Sequence, residues 1–396
     1  MIAPRNSRDH LVVLAAGGTG GHVFPAEALA QELLAQGYRL VLLTDARGAT
    51  YGGTLGMIET RHITARGVAG QGIIGAVKAA FALARGFLEA RHILRELRPA
   101  AVVGFGGYAA APTVAAAINL GLRTVIHEQN AVLGRANRLL ASRASRVCAS
   151  FDLARRAPKG ANIVRTGLPV RPAIAAMRNA PYDVPTANGP FKIVILGGSQ
   201  GARVFSDIIP AAMAKLPESL RQRLEVSQQC RAEELDRTHV AYHEVGVHVT
   251  LKAFFDNVPE LMSGAHLIIS RSGASTVAEA AAIGRPTVLV PYPFATDDHQ
   301  TANAQIVMAA GAGWMLRQPD FTPDALAKIL AQFAAAPYGL ASAATAAANL
   351  GVPDAAKRLA EVVTLVIRGE NGARLDNSAA SKTPPISTHH MHRGVV

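Results

Sequence analysis

Leu11-Val12-Val13-Leu14-Ala15-Ala16-Gly17-Gly18-Thr19-Gly20-Gly21-His22-Val23-Phe24-Pro25 is the stretch whose reading decides the fold. Residues 10–16 are an apolar run too short for a helix, and they break into glycines. A helix-like segment follows, Pro25–Gln36, which Gly37 stops before a second apolar run, Arg39–Thr44. A strand, a glycine turn, a helix and another strand make one turn of a parallel α/β layer. The same grammar recurs outward along the chain. Ala101-Val102-Val103 enters Gly104-Phe105-Gly106-Gly107, and Thr124-Val125-Ile126 enters His127-Glu128-Gln129-Asn130. After a stretch containing Pro and Gly, Leu168–Pro190, which reads as a linker, the theme restarts. Phe191–Leu196 runs into Gly197-Gly198-Ser199-Gln200-Gly201, with a helix expected from Ala202. Leu267-Ile268-Ile269 precedes Ser270-Arg271-Ser272-Gly273, and Thr287–Val290 precedes Pro291-Tyr292-Pro293. Two similar doubly wound, Rossmann-like α/β domains facing a cleft are therefore expected, with ligands beyond the C-terminal ends of the strands.

The rest of the composition narrows the class. The chain has 396 residues, 49% of them hydrophobic, which suits two domains with cores of their own and excludes a mostly disordered protein. Two cysteines, Cys148 and Cys230, make neither a disulfide scaffold nor a four-ligand zinc site, so a reducing compartment is expected. A net charge of +12 favours an acidic partner: a phosphorylated metabolite, an anionic membrane surface or nucleic acid. The last is set aside, because no RNP aromatic motif, zinc finger or basic helix run occurs. The uncharged stretch Pro99–Leu122 is long enough to cross a bilayer, but its glycines, Pro112 and Asn119 read better as strand, turn and small-residue helix. The run at 11–16 is too short for a secretory signal. No transmembrane helix is expected, and residues 370–396, polar and His-rich at the end, read as a disordered tail.

Glycines between a strand and a helix let backbone N–H groups approach a phosphate at a positive helix end. One such turn is weak evidence, since a tight turn needs glycine merely to fold. Three of them, at 17–21, 104–107 and 197–201, split between two domains, favour a nucleotide or sugar phosphate. A dinucleotide fits less well: Val23 stands where the first turn needs a small residue, and only Gly104, Gly106 and Ala109 keep the spacing. No G-x-x-x-x-G-K-[S/T] occurs, which excludes a P-loop.

In order, these turns together with His127-Glu128-Gln129-Asn130, Ser270-Arg271-Ser272-Gly273-Ala274-Ser275-Thr276-Val277-Ala278-Glu279 and Asp298-His299-Gln300-Thr301-Ala302-Asn303-Ala304 resemble one family. It is the family 28 glycosyltransferases that complete the lipid-linked peptidoglycan precursor. The resemblance runs from about residue 10 to 365. It implies a GT-B fold with an N-terminal acceptor- and membrane-facing domain (1–172), a C-terminal donor domain (173–353) and a helix crossing back (354–369). It implies inverting transfer of N-acetylglucosamine from UDP-GlcNAc to the 4-hydroxyl of MurNAc in undecaprenyl-pyrophosphoryl-MurNAc-pentapeptide. No cofactor or donor-site metal is implied, and the chain has no D-x-D pair, only Asp297-Asp298. The nearest alternative is another UDP-sugar-dependent GT-B enzyme acting on a glycolipid. A non-catalytic sugar-nucleotide binder would have no need of His22.

Inversion needs a base to take the acceptor proton, and His22, just ahead of the expected helix, is the candidate. Its plain alternative is a His that caps the helix or bonds a phosphate. Glu128 is the rival base; its plain alternative is a structural carboxylate paired with Arg. Glu279, on a helix begun by Ser272-Gly273, suits two ribose hydroxyls, while Ala274, Ser275, Thr276, Val277 and Ala278 at the helix start cradle the diphosphate. By resemblance, Thr19, Gly20, Gly21 and Ser199 line the sugar diphosphate, Arg171 belongs to the donor site, and Asn130 and Gln300 read sugar hydroxyls. The backbone of Phe255 would read uracil. Leu168 and His299 replace the amide residues usual in the family. Asp297-Asp298-His299 is expected to be a solvated loop and not a metal site.

The acceptor's polyprenyl chain implies a peripheral protein on the cytoplasmic face of the inner membrane. Ile73, Ile74, Val77, Phe81, Ala84 and Leu88 recur at helical spacing among Lys78, Arg85, Arg91 and Arg95. From pattern alone such a stripe is core packing. The resemblance raises a membrane reading, with Ile73, Ile74, Phe81 and Phe87 as the apolar contacts. Arg143, Arg146, Arg155, Arg156 and Lys159 add charge. Proteins of cell-wall synthesis and division are further candidate partners.

Overall fold

The computed structural model describes residues 11–18, 20–45, 51–65, 73–153, 157–198 and 201–370, and for Ile73, Ile74, Ala76 and Val77 the backbone alone. The expectations on Thr19, Ser199, Arg155, Arg156 and residues 371–396 lie outside them.

The first half runs β1 (Leu11–Ala15), α1 (Gly20–Ala35), β2 (Arg39–Thr44), β3 (Glu59–His62), α2 (Ile73–Leu97), β4 (Ala101–Gly104), α3 (Gly107–Asn119) and β5 (Thr124–Glu128). It closes with α4 (Arg135–Leu140), β6 (Arg146–Ala149) and β7 (Ile163–Arg165). These strands form one seven-stranded parallel sheet in the order β3-β2-β1-β4-β5-β6-β7. The stretch read as a linker carries a short helix, α5 (Pro172–Ala176), which Arg171 precedes and Pro172 starts.

The second half continues with β8 (Phe191–Leu196), α6 (Arg203–Ala214), α7 (Glu218–Arg221), β9 (Leu224–Gln229), α8 (Leu235–Glu244) and β10 (His248–Lys252). Then come α9 (Val258–Gly264), β11 (Leu267–Ser270), α10 (Ala274–Ile283), β12 (Thr287–Leu289), α11 (His299–Ala309) and β13 (Gly313–Met315). Helices α12 (Pro323–Ala335), α13 (Tyr338–Leu350) and α14 (Ala355–Arg368) complete the described chain. The second sheet has six parallel strands, ordered β10-β9-β8-β11-β12-β13.

Both strand orders reverse beside the strand that opens the half, between β1 and β4 and between β8 and β11. A crevice forms at such a reversal, and the glycine turns read from the sequence leave the strands that flank it. The central strands are buried along their length, Leu11–Ala15 and Ala101–Gly104 included, because helices cover both sheet faces. Gly17 makes the first turn fit: a Cβ there would sit 2.5 Å from the Cβ of Ala109 on α3.

Helix α14 does not pack with the half that precedes it. Its Leu359, Ala360, Val362, Val363 and Val366 join the cluster of Val12, Leu14, Leu29, Leu33, Leu42 and Val103 under the first sheet. A third apolar cluster joins the halves, uniting Ala131, Val132, Phe151 and Leu168 with Ala274, Val277, Leu289 and Ala302. Each fully buried aliphatic side chain contributes about 1.5–3 kcal/mol, so the joint is held by more than polar contacts.

Candidate active site

The first helix starts at Gly20, so His22 stands inside its first turn and not ahead of it, as the sequence suggested. The His22 Nδ1–H donates to the carbonyl oxygen of Phe105 at 2.8 Å. A carbonyl only accepts, so Nδ1 carries a proton, and in the neutral ring the lone pair lies on Nε2. Phe105 is the buried residue that leaves β4, followed by Gly106 (φ 77°) and Gly107 (φ 74°). Those left-handed conformations turn the chain into α3 and bring Gly107 close to His22: a Cβ there would lie 3.4 Å from Nε2.

Glu128 ends β5 and is fully occupied. Its Oε1 accepts from Asn130 N at 3.0 Å and Asn130 Nδ2 at 3.4 Å. Its Oε2 accepts from Gly134 N at 2.9 Å and Asn137 Nδ2 at 2.8 Å. The carboxylate therefore organises the loop from 129 to 137 with amide donors; among the described residues it has no arginine partner of the kind expected for a structural role. Such a side chain, 2% exposed, is badly placed to collect a proton from a substrate.

From the second half, Asn303 on α11 reaches across. Its Oδ1 accepts from Ala131 N at 2.9 Å, and its Nδ2 donates to Asn130 Oδ1 at 3.2 Å and Ser272 O at 3.0 Å. Arg171 Nε and Nη2 grip Glu279 Oε1 and Oε2 at 2.8 and 2.9 Å. The same guanidinium lies 5.8 Å from the ring centre of Phe24, so α1, α5 and α10 meet there. At the rim, Arg135 pairs with Asp297 at 3.2 Å.

Two family models match, the glycosyltransferase family 28 N-terminal domain over residues 12–149 and its C-terminal domain over 192–359. The chain belongs to glycosyltransferase family 28. A Paramagnetospirillum magneticum relative, a UDP-N-acetylglucosamine–N-acetylmuramyl-(pentapeptide) pyrophosphoryl-undecaprenol N-acetylglucosamine transferase, is 54% identical over 93% of this chain and all of its own. A Rhodospirillum rubrum relative of the same name is 54% identical over 89% of this chain and 91% of its own. Among solved structures, Acinetobacter baumannii MurG superposes with a TM-score of 0.72 at 30% identity, covering 89% of this chain and 99% of that one. The UDP-GlcNAc 2-epimerase of Neisseria meningitidis, at 14% identity and TM-score 0.61 over 89% of this chain and 99% of its own, shares the fold alone. The fold is GT-B.

In this family 28 chain the expected site residues separate into groups. Gly20, Gly21, His22, Glu128 and Asn130 gather at the first-half turns, and Arg171 and Glu279 meet directly. Glu279 is held by the Arg171 fork at both oxygens, each of which retains a second lone pair for a hydroxyl. Ala274 and Val277 turn their side chains into the joint cluster, so they offer only backbone N–H groups; Ser275 and Thr276 stay half-buried at the helix start. Gln300 is half-buried, its Oε1 accepting from Tyr292 N at 2.9 Å and its Nε2 left to donate. Phe255 is 4% exposed in the loop after β10, with the Lys252 ammonium 5.8 Å from its ring centre. The Asp297–His299 loop is engaged: Asp297 with Arg135, and His299 Nδ1–H with Thr296 O at 2.8 Å. Among the described residues no group of three His, Cys, Asp or Glu side chains converges as a metal site does.

The sequence reading quoted Gln129 and Asn303 within its motifs but gave them no role, and it missed Asn137. For Asn303 the available signal is a polar amide between the buried Ala302 and Ala304, one turn beyond Gln300.

On α2 the pattern-based expectation of core packing fails for Phe81 and Leu88, which are 73% and 63% exposed. Phe87, expected to turn outward, is half-buried beside Ala90 and Leu94 against Leu11 and Val13. Lys78, Phe81, Arg85, Leu88 and Arg95 share the exposed face of α2. No helix among the described residues is long and apolar enough to cross a membrane.

Proposed function

We propose that the chain transfers N-acetylglucosamine from UDP-GlcNAc to the 4-hydroxyl of MurNAc in undecaprenyl-pyrophosphoryl-MurNAc-pentapeptide, with inversion at the anomeric carbon. The relatives named for this reaction, matched at 54% identity along their length, support it. The observation that carries the mechanism is the fixed tautomer of His22, whose free Nε2 lone pair lies beside the glycine turn entering α3.

In this reading the acceptor O4–H gives its proton to His22 Nε2 while O4 attacks the anomeric carbon from the face opposite the diphosphate. The bond from that carbon to the UDP oxygen breaks, and an α-linked donor becomes a β-linked product. The Phe105 carbonyl then accepts from an imidazolium and stabilises the new charge. UDP leaves as an anion toward the N-terminal N–H groups of α10 and the glycines opening α1, where helix ends favour negative charge. Glu279, steadied by Arg171, takes the ribose hydroxyls, and Asn130 and Gln300 take those of the sugar. Backbone amides and Arg171 answer the diphosphate charge, so we assign donor binding no metal.

The exposed Phe81 and Leu88 among Lys78, Arg85 and Arg95 support our reading of α2 as a face for an anionic bilayer, with the protein peripheral on the cytoplasmic side of the inner membrane.

The test is transfer of labelled GlcNAc to a short-chain analogue of the acceptor in the presence of EDTA. Product is expected, and His22→Ala is expected to bind UDP-GlcNAc normally while turnover falls by ~10²-fold or more. Donor binding without product, even with magnesium, would keep the UDP-sugar site and overturn this acceptor in favour of another glycolipid.

A further inference from the structure

The Phe105 carbonyl that fixes the His22 tautomer accepts a second side chain. Gln129 Nε2 donates to the same oxygen, also at 2.8 Å. Its other N–H faces His127 Nδ1 at 3.3 Å and His127 O at 3.4 Å, and His127 Nε2–H donates to Gly167 O at 3.1 Å. Every proton in this chain is set by its acceptor. Phe105 O and Gly167 O can only accept, so His22 is protonated on Nδ1 and His127 on Nε2. Gln129 must then present nitrogen, not oxygen, to all three of its partners. The ladder is dry: Phe105 and His127 are 0% exposed and Gln129 is 3% exposed.

We propose that Gln129 is the positioning residue for His22. The inference rests on the reading of His22 as the base. A carbonyl oxygen has two lone pairs. Gln129 occupies one and thereby leaves a single direction in which the imidazole can bond, which fixes the ring plane and aims Nε2 at the acceptor hydroxyl. Without that bond the oxygen presents two directions, and the ring keeps its Nδ1–H but loses the constraint on its plane. Burial also pushes His127 down to about 4, so it stays a neutral acceptor and anchors Gln129 from behind. The ladder ends on Gly167, in the segment that leads to Arg171, so the base is referenced to the same backbone that carries the donor-site arginine.

The experiment uses the full-length protein and Gln129→Met, which keeps the volume and removes both N–H donors. The kcat should fall by about 10-fold or more, with the KM for UDP-GlcNAc changed less than about twofold, as for a lost transition-state alignment. Placed on His22→Ala, Gln129→Met should cost nothing further, because its effect passes through the imidazole. Unchanged kcat, or two losses that multiply, overturns the role of Gln129 and leaves His22 as the base. Full turnover in His22→Ala alone overturns the base and this inference with it. Should Gln129→Met fail to fold, histidine-selective 15N spectra of the unaltered protein at pH 8 decide the matter. Nδ1-protonated His22 together with Nε2-protonated His127 is expected; the opposite tautomer at either ring overturns the ladder.

Discussion

At the scale of single residues, the site turns on which groups already have partners. Glu128 and His22 are both plausible bases on paper, and only their surroundings separate them. Four amide donors occupy Glu128, whereas one carbonyl holds His22 by the nitrogen that does not react. Glu128→Gln should leave at least one donor facing an NH2 group, costing about 1–3 kcal/mol of stability and lowering turnover. The acidic limb of its kcat–pH profile should survive; disappearance of that limb would return Glu128 to the role of base. His127 gives a second residue-scale prediction. Its folded value near 4 lies below its ordinary 6.5, so the neutral ring favours the native state above pH 6.5. That contribution is lost as pH falls towards 4, reaching roughly 3 kcal/mol. Denaturant midpoints between pH 7 and 4 should therefore fall more steeply for the native sequence than for His127→Leu. The glycine turns and the motif residues could be read from the sequence because glycine, His and Glu announce their chemistry. Gln129 and Asn303 could not, since an amide becomes a site residue only through the distant partners that folding brings to it.

At the scale of elements, periodicity fixes type better than side. The strands at 39–44, 101–104, 124–128 and 191–196 fall where their apolar runs stand, because a buried parallel strand leaves an uninterrupted signal. The start of α1 moved from Pro25 to Gly20, because glycines there serve as the helix's first turn as well as its entry. Helix α2 shows the limit more plainly. Its face bearing Phe81 and Leu88 has the spacing of a core stripe, yet Ala90 and Leu94 carry the packing with Phe87, Ile93 and Leu97, and Phe81 and Leu88 face out. Which face of α2 is buried is set by the neighbours folding brings to it, α3 above all, and apolar spacing alone does not show that. Phe81→Glu with Leu88→Glu should weaken co-sedimentation with anionic vesicles by roughly 30-fold or more, at about 1 kcal/mol or more per altered contact. Transfer to a soluble short-chain acceptor should be unaffected. Equal loss in both assays would mean that this face serves the fold.

At the scale of the whole molecule, two parallel sheets of like order are joined by an apolar cluster, by Asn303 and by the Arg171–Glu279 fork. The two-sheet plan was legible because the strand–glycine–helix theme restarts; the contacts at the joint were not, because they pair residues such as Ala131 and Asn303 from opposite halves. Leu359→Ala tests how far α14 belongs to the first sheet. A loss of ~2–5 kcal/mol is expected, with faster amide exchange in β1, β2 and β4. Faster exchange confined to the second sheet would contradict that assignment. The placement of α14 also sets an order of events during synthesis. The last strand of the first sheet is complete at Arg165, but the helix that closes its core starts only at Ala355. At about 5–20 residues per second, a ribosome needs roughly 10–40 s to make what lies between. For that interval the part of the first half's core that α14 covers, beside α1, stays open to chaperones and proteases. A prematurely released chain never covers it, so quality control can tell a truncated enzyme from a finished one by that surface alone.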